Sequence, residues 1–476
     1  MGTRSVASAA ETYLLGLFAS PKSNMLSMSE RMLEADHQVL HHMLSDSKWD
    51  FDGLVSETSR QVNTLIGGMK AALIIDESAF AKKGEASAGV ARQWNGRLGK
   101  VENSQVGVFA ALAKETAVSL IDARLYLPEC WLNDTARLDA VEVPTSARVP
   151  QSKVELAREM IFGARRHGVR FGHVAFDAVY GSAGWLLREL DDEGITFMGE
   201  ARCDQHLFLQ DPTPSVPHRT STMGRPPSLL RTEVRAITVS EWLKAQPASA
   251  WRRIVLRGGE KGLITIEALS ACVWLWDGQE DHARRWHLFM RREIDRPDTV
   301  KFAFSNAKAD TSLHQLASMQ AARFWIEHAF REAKDCLGMA QYQVRKWNGW
   351  HHHMALVMLA MNFLLKEQLA HRVAVKDLTL SDLVFAIDAL LPHRAHDPDS
   401  VAELIAERHQ RRQSARESAY RKQNPALLNR WSDKVELRHF ANVRSWFGLD
   451  HVDAVNVAVR QYRGGVARAL RLVLSP

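Results

Sequence analysis

Residues 171–199 read FGHVAFDAVYGSAGWLLRELDDEGITFMG, and their pattern decides the fold class. FGHVAF (171–176) is an apolar run of strand length that Asp177 ends. Gly181 permits a tight turn, residues 182–190 read as a helix, and ITFMG (195–199) is a second apolar run. Working upstream, a helical stretch at 154–166 leads through Gly168 into this unit. Before it, ALII (71–74), VGVFAAL (106–112) and AVSLIDARLYL (117–127) are strand-like, the last alternating so that one face is polar. Strands first, then strands alternating with helices, predict a mixed α/β sheet.

Outside this core the rhythm changes. Residues 1 to about 68 show apolar positions at helical spacing (Leu26, Met32, Leu33, Val39, Leu40, Met43, Leu44) and a slightly acidic balance. Residues 205–232 hold five of the 15 prolines and read as a loop. Strand-like runs without an obvious helix follow: EVRAITV, WRRIVLR, LITIEALSACVWLW, RWHLFMRRE and KFAFSN, a β-rich insertion. Helix returns at about 311–336 and 351–371. Beyond Pro392 the chain is polar and helical in character, and residues 407–431 hold seven Lys/Arg against two Asp/Glu.

Composition sets the limits. The chain has 476 residues, room for two or three domains, with 46% hydrophobic and 24% charged residues. The formal charge of +6 is mild, so a histone-like polycation is excluded and the distribution of charge carries the argument. No apolar window approaches the roughly 18 residues of a membrane span, and the N-terminus lacks the pattern of a secretory signal, so a cytoplasmic protein is expected. Cys130, Cys203, Cys272 and Cys336 match no zinc spacing and are expected as buried thiols.

Three acidic residues stand where chemistry is done. Asp76 follows the apolar run 71–75, where a strand delivers a side chain to the edge of a sheet; a turn former fits it equally. Asp177 ends a strand and precedes Gly181, compatible also with a helix cap. In RFWIEHAFREAKDCLG (323–338), Arg323, Glu327 and Lys334 fall within about 40° of one another on a helix. Beside that polar stripe Ile326, Phe330, Ala333 and Leu337 form an apolar one. A solvated salt-bridge ladder is the alternative for the polar stripe. Carboxylates from two strand ends and a helix suit hard Mg²⁺ ions that flank a phosphodiester. No Walker loop, GxSxG, HExxH or Rossmann glycine pattern competes.

These residues resemble the DDE transposases of bacterial insertion sequences, in the insertion-sequence-701 group related to the insertion-sequence-4 superfamily. The resemblance runs from about residue 12 to 372. It rests on HHMLSDSKWD (41–50), IIDESAFAKKGEASAGVARQWNGRLGKVENSQVGV (74–108), RLYLPECW (124–131), FDAVYG (176–181) and RFWIEHAFREAKDCLGMAQYQVRKWNGWHHHMALVMLA (323–360), in that order. It implies Asp76, Asp177 and Glu327 as a catalytic, metal-holding triad for Mg²⁺, with Mn²⁺ as substitute. The adjacent Glu77 competes with Asp76 as first ligand. The related superfamily carries a Tyr, Arg, Glu, Lys signature; Arg323, Glu327 and Lys334 fit it, and Gln320 stands at the tyrosine position.

The implied fold is α/β: an RNase H-like mixed sheet with flanking helices, interrupted by a β-rich insertion, with helical N- and C-terminal parts. Its expected division is a helical domain at 1–69 contacting DNA ends and catalytic parts at 70–203 and 307–375. The insertion takes 204–306, and a helical basic domain for DNA binding or dimerisation takes 376–476. The implied activity is binding of terminal inverted repeats, cleavage of the ends and joining of 3′-hydroxyls to target DNA. A catalytically idle DNA-binding descendant and a purely hydrolytic nuclease stand as alternatives. Double-stranded DNA is the expected partner, within a homodimeric synaptic complex at the nucleoid. Arg323 and Lys334, the glycine-studded basic segment with Lys82, Lys83, Arg92, Arg97 and Lys100, and the C-terminal Arg408, Arg411, Arg412 and Arg416 are the expected DNA contacts. Trp94, Trp347 and Trp350 are readable as base-stacking or core residues. His351, His352 and His353 fan around a helix and cannot all face one ion.

Overall fold

Alternating apolar positions along the chain convert into one large sheet flanked by helices. The computed structural model describes residues 6–19, 22–218, 228–259, 262–372, 375, 378–394, 408–410, 413, 414 and 418. Four helices come first: α1 (Val6–Ala19), α2 (Met25–Arg31), α3 (His37–Ser45) and α4 (Phe51–Ile66). Strands β1 (Ala72–Ala81), β2 (Ala91–Asn95), β3 (Lys100–Lys114) and β4 (Ala117–Leu125) precede helices α5 (Glu129–Leu132), α6 (Thr135–Ala140) and α7 (Lys153–Arg166). Then come β5 (His173–Phe176), α8 (Ala178–Gly181), α9 (Gly184–Asp192) and β6 (Phe197–Ala201). The next stretch holds β7 (His206–Leu207), β8 (Ile237–Thr238), α10 (Val239–Lys244), β9 (Arg252–Gly259), β10 (Gly262–Leu275), β11 (Arg284–Glu293) and β12 (Arg296–Ser305). Helices α11 (Leu313–Ala321), α12 (Phe324–Cys336), α13 (Trp347–His371) and α14 (Leu380–Leu390) follow.

The chain divides into two compact units. Residues 41–384 form the larger, which contains the sheet in the order β2-β3-β1-β5-β6-β12-β11-β10-β9, with β4 also paired to β3. β1 runs antiparallel to β3 and parallel to β5, and β5 runs parallel to β6. β12 joins β6 antiparallel, so the strands after residue 250 continue the same sheet. In the smaller unit, Arg31 bonds Asp388 at 2.9 Å and Arg408 Nε donates to Glu30 at 2.8 Å.

Side-chain alternation gives the sheet two apolar faces. Leu73, Ile75, Val174, Phe176 and Phe197 form one buried cluster with Leu156, Ala157 and Met160 of α7. α7 starts on a capping box in which Ser152 and Glu155 each bond the other's backbone N–H. On the opposite face α12 buries Ile326, Ala329, Phe330 and Ala333, and the Phe330 ring lies 5.3 Å from Phe109. Each fully buried Ile or Phe side chain there contributes about 1.5–3 kcal/mol. α13 lies inside the unit: His351, His352 and His353 are buried and each bonds a main-chain carbonyl. Trp347 and Trp350 are core residues, whereas Trp94 is 58% exposed.

Four sequence expectations change. The strand read as ending at Asp76 runs on to Ala81, paired with β3 throughout, so Asp76 lies mid-strand and is not a turn former. EVRAITV (233–239) yields only the two-residue β8, because Thr238 and Glu241 form a capping box that starts α10. The β-branched residues suggested strand, and the local cap prevailed. The helix expected over 311–336 is broken into α11 and α12, which leaves Arg323 at the N-cap of α12 instead of inside a continuous helix. Cys130 and Cys203 are exposed, not buried, and Cys272 and Cys336 are half-buried; all four are free thiols.

Candidate active site

Parallel pairing sets the end of β5 against the middle of β1. Ile75 is in register with Phe176, so Asp76 and Asp177 are the next residues on neighbouring strands. Both alternate onto the face that carries α12, whereas Glu77 alternates onto the α7 face. There Lys153 Nζ donates to Glu77 at 2.8 Å and the Tyr180 hydroxyl at 3.2 Å. The structure thus separates the two neighbouring acids and brings Asp76, not Glu77, to the side of Glu327. Asp177 caps the short helix α8, accepting from Val179 N at 2.9 Å. A Cβ at Gly181 would lie 2.0 Å from the Glu200 carbonyl oxygen, so glycine there lets α8 press onto β6.

Arg323 joins these groups. Its Nη2 lies 2.7 Å from Glu327 Oε1, its Nη1 3.3 Å from Asp76 Oδ2, and its Nε 3.0 Å from Glu200 Oε1. Asp76 is buried, and loss of solvent pushes its carboxyl up to about 7, against the pull of Arg323; the charge of Asp177 adds to the rise. Asp177 is raised by burial and by the charge of Glu77. Arg323 is itself held above its ordinary value: burial works against its charge, and Glu200, Asp76, Glu327 and Asp177 together outweigh that. Glu327 keeps a half-exposed side chain.

The cationic candidates are dispersed differently from their sequence order. Lys334 Nζ lies 5.6 Å from the Phe80 and Phe330 rings, and burial, with the charge of Arg97, lowers it to about 8. Lys82 sits over the Tyr342 ring at 3.4 Å, and burial lowers it to about 7. Lys83, Arg92, Arg97 and Lys100 are exposed, and Lys100 pairs with Glu102 at 2.9 Å. Arg92, Arg97 and Lys100 lie on the β2–β3 hairpin, whose tip comes near enough to Lys334 for Arg97 to depress it. Arg408 lies in the other unit, paired with Glu30. Arg411, Arg412 and Arg416 lie outside the described residues.

Two residues that sequence reasoning missed face the same centre. Glu200, on β6, shares Arg323 with Asp76 and Glu327. Arg291, on β11, has a buried Nε without a partner and lies in the field of Glu200 and Glu327. Neither has a motif; pairing between distant strands brings them in.

In these side-chain positions no three His, Cys, Asp or Glu among the described residues converge as a metal-holding group. The Arg323 guanidinium stands among the carboxylates instead. The donor set nevertheless fits a hard divalent cation: Asp76 and Asp177 offer oxygen ligands side by side, both raised by burial, and a doubly charged ion would relieve that strain. Carboxylates side by side on neighbouring strands, a helix-borne glutamate and nearby cations on a mixed α/β sheet are the kind of arrangement that metal-dependent nuclease chemistry requires.

The comparisons with known proteins agree with that class. The profile of the DDE superfamily endonucleases matches residues 2–263, a span that includes Asp76 and Asp177 and ends before α12, and the chain belongs to this family. It is also similar to the "Probable transposase for insertion sequence element IS701" of Microchaete diplosiphon, 22% identical over 334 residues, which cover 69% of this chain and 75% of that protein. No helix among the described residues is long and apolar enough to cross a membrane.

Proposed function

We propose that this endonuclease is a DNA transposase that binds the terminal inverted repeats of an insertion sequence, cleaves at the ends and joins the 3′-hydroxyls to target DNA. The observation that carries the reading is the register of β1 and β5, which sets Asp76 beside Asp177 while Arg323 ties Asp76 to Glu327. The order β4-β3-β1-β5-β6, with an antiparallel half and a parallel half, supports an RNase H-like core for 70–203 and 307–375. On this reading 204–306 is the β-rich insertion, and the helical parts at 1–69 and 376–476 serve DNA ends and pairing of two copies.

Asp76, Asp177 and Glu327 would hold Mg²⁺, or Mn²⁺ in its place. Divalent ions bound there supply an activated water or 3′-hydroxyl and neutralise charge on the leaving oxygen. Arg323 and Lys334 grip the phosphates flanking the scissile bond, and the exposed Arg92, Arg97 and Lys100 follow the backbone of the duplex. Asp76 is itself buried, so the charge interactions it makes are less screened than those at the surface.

A strand-transfer assay with labelled element ends, target DNA and Mg²⁺ tests the reading. Joined products are expected from the unaltered protein and none from Asp177→Ala, with end binding retained. Hydrolysis without joining would make the protein a metal nuclease, and binding with neither reaction would make it a DNA-binding descendant.

A further inference from the structure

The acidic centre holds one carboxylate more than the triad uses. We propose that Glu200 is a positioning residue: it keeps Arg323 beside the scissile phosphate when Asp76 and Glu327 give that guanidinium up to a divalent cation. The proposal rests on the metal-holding role of Asp76, Asp177 and Glu327 and adds a residue that lies outside the triad.

The guanidinium divides its edges between two tasks. Its Nε faces Glu200 Oε1 at 3.0 Å, while Nη1 and Nη2 face Asp76 and Glu327 at 3.3 and 2.7 Å. The two terminal nitrogens can therefore be released while the Nε edge stays bonded, and the freed pair forms a fork suited to phosphate oxygens. A partner must remain, because the Arg323 side chain is only 17% exposed and a buried charge left alone costs several kcal/mol. Glu200 is built to be that partner. β6 is paired on both edges, by β5 and β12, and Gly181 packs on the Glu200 carbonyl.

Gln320, at the position where the related signature has tyrosine, completes the support. It is 3% exposed and donates from Nε2 to the same Glu200 Oε1 at 3.2 Å. Reversing the amide would set oxygen against oxygen, so Glu200 fixes its orientation and leaves Gln320 Oε1 without a partner. Glu327 contrasts with this: its side chain is 53% exposed on the first turn of α12, free to turn from arginine to metal.

The test is Mn²⁺ titration followed by electron paramagnetic resonance on the full chain and on Glu200→Ala, Arg323→Gln, their double variant and Asp177→Ala. Glu200→Ala is expected to weaken Mn²⁺ binding about tenfold, the range for groups that orient metal ligands. Arg323→Gln is expected not to weaken it. In the Arg323→Gln background, Glu200→Ala is expected to lose its effect. Equal weakening in both backgrounds would make Glu200 a ligand, and no weakening in either would make it a structural residue; each overturns the proposal. Mn²⁺ binding that ignores Asp177→Ala would instead overturn the metal-centre reading itself. Should Glu200→Ala fail to fold, Gln320→Ala, which keeps the carboxylate and loosens it, is expected to shift Mn²⁺ affinity in the same direction by a smaller factor; an unchanged affinity counts against the proposal.

Discussion

Two arginines of the larger unit each gather three carboxylates, to different ends. Arg284 bonds Glu280, Asp191 and Asp192 at 2.9, 2.9 and 2.8 Å, and Arg323 bonds Asp76, Glu200 and Glu327. Around Arg284 one carboxylate reaches far into solvent: Asp192 is 60% exposed, and its hydrogen bond to Arg284 holds it below its ordinary value. The guanidinium is raised in turn, chiefly by Glu280. Around Arg323 the same pairing leaves Asp76 raised, because burial outweighs the pull of Arg323. The first cluster is satisfied and fastens α9 to β11. In the second, burial leaves Asp76 raised despite its arginine, a perturbation that functional sites share.

The largest expected effect separates the two clusters by chemistry. Asp76→Ala or Asp177→Ala should lower Mg²⁺-dependent cleavage by roughly a thousandfold, the several kcal/mol that metal-based charge stabilisation supplies. Asp191→Ala, in the satisfied cluster, should leave the cleavage rate of the folded protein within about twofold. Gel assays on element ends measure both, and equal losses would erase the distinction. Next in size is stability. Arg284→Ala removes the cation shared by Glu280, Asp191 and Asp192, although Arg188 still faces Glu280 and Asn306 still bonds Asp191, and should cost on the order of 2 kcal/mol in denaturant unfolding. Arg323→Gln should cost less, since Asp76 can answer the loss by taking up a proton. A larger loss from Arg323→Gln would mean that its cluster is the structural fastener.

The contrast was only half legible in the sequence. Asp76 and Asp177 could be read because each follows an apolar run, a local feature, although only Asp177 follows the end of a strand and β1 runs on past Asp76 to Ala81. Glu327 could be read because Ile326, Phe330, Ala333 and Leu337 fix which way its helix faces, and all four are buried. Glu200 could not be read: within ITFMGEA it is one polar residue at the close of a strand. Its place beside Arg323 comes from the pairing of β6 with β5 and from the helix break at 322–323. α10 was hidden by β-branched residues, although the Thr238–Glu241 spacing carried its capping box.

A smaller effect appears in the pH dependence of stability. In metal-free protein burial pushes the folded Asp76 carboxyl up to about 7, from the ordinary 3.8 that it keeps in the unfolded chain. Between those values the folded chain holds a proton that the unfolded chain has released, so this group makes stability fall as pH rises from about 4 to about 7 and then level off. Buried His173, lowered to about 4, and His351 and His353, lowered to about 3, act in the opposite sense below about 6.5. The readout is therefore the difference between unaltered protein and Asp76→Asn across pH 4–8, which removes the falling component alone. Parallel curves would show that Asp76 is ionised throughout and that its cluster is as satisfied as the one around Arg284.

The smallest effect concerns the basic hairpin that reaches toward the strained cluster. Trp94 pairs across the hairpin with Val101, and both are exposed, at 58% and 47%, with Arg92 on the same strand also in solvent. Arg97 stands at the tip, where its charge already depresses Lys334. Two cations near enough to repel each other favour an anion there, and a DNA phosphate is the anion this family handles. Lys100 contributes less, because Glu102 holds it at 2.9 Å. Arg92→Gln with Arg97→Gln should flatten the slope of log affinity against log salt by about two units, one for each lost phosphate contact. Lys100→Gln should flatten it by less than one. Fluorescence anisotropy with duplex DNA over a range of salt concentrations measures the slopes. An unchanged slope for the double variant would leave the hairpin a solvated projection and place the DNA path on the other side of α12.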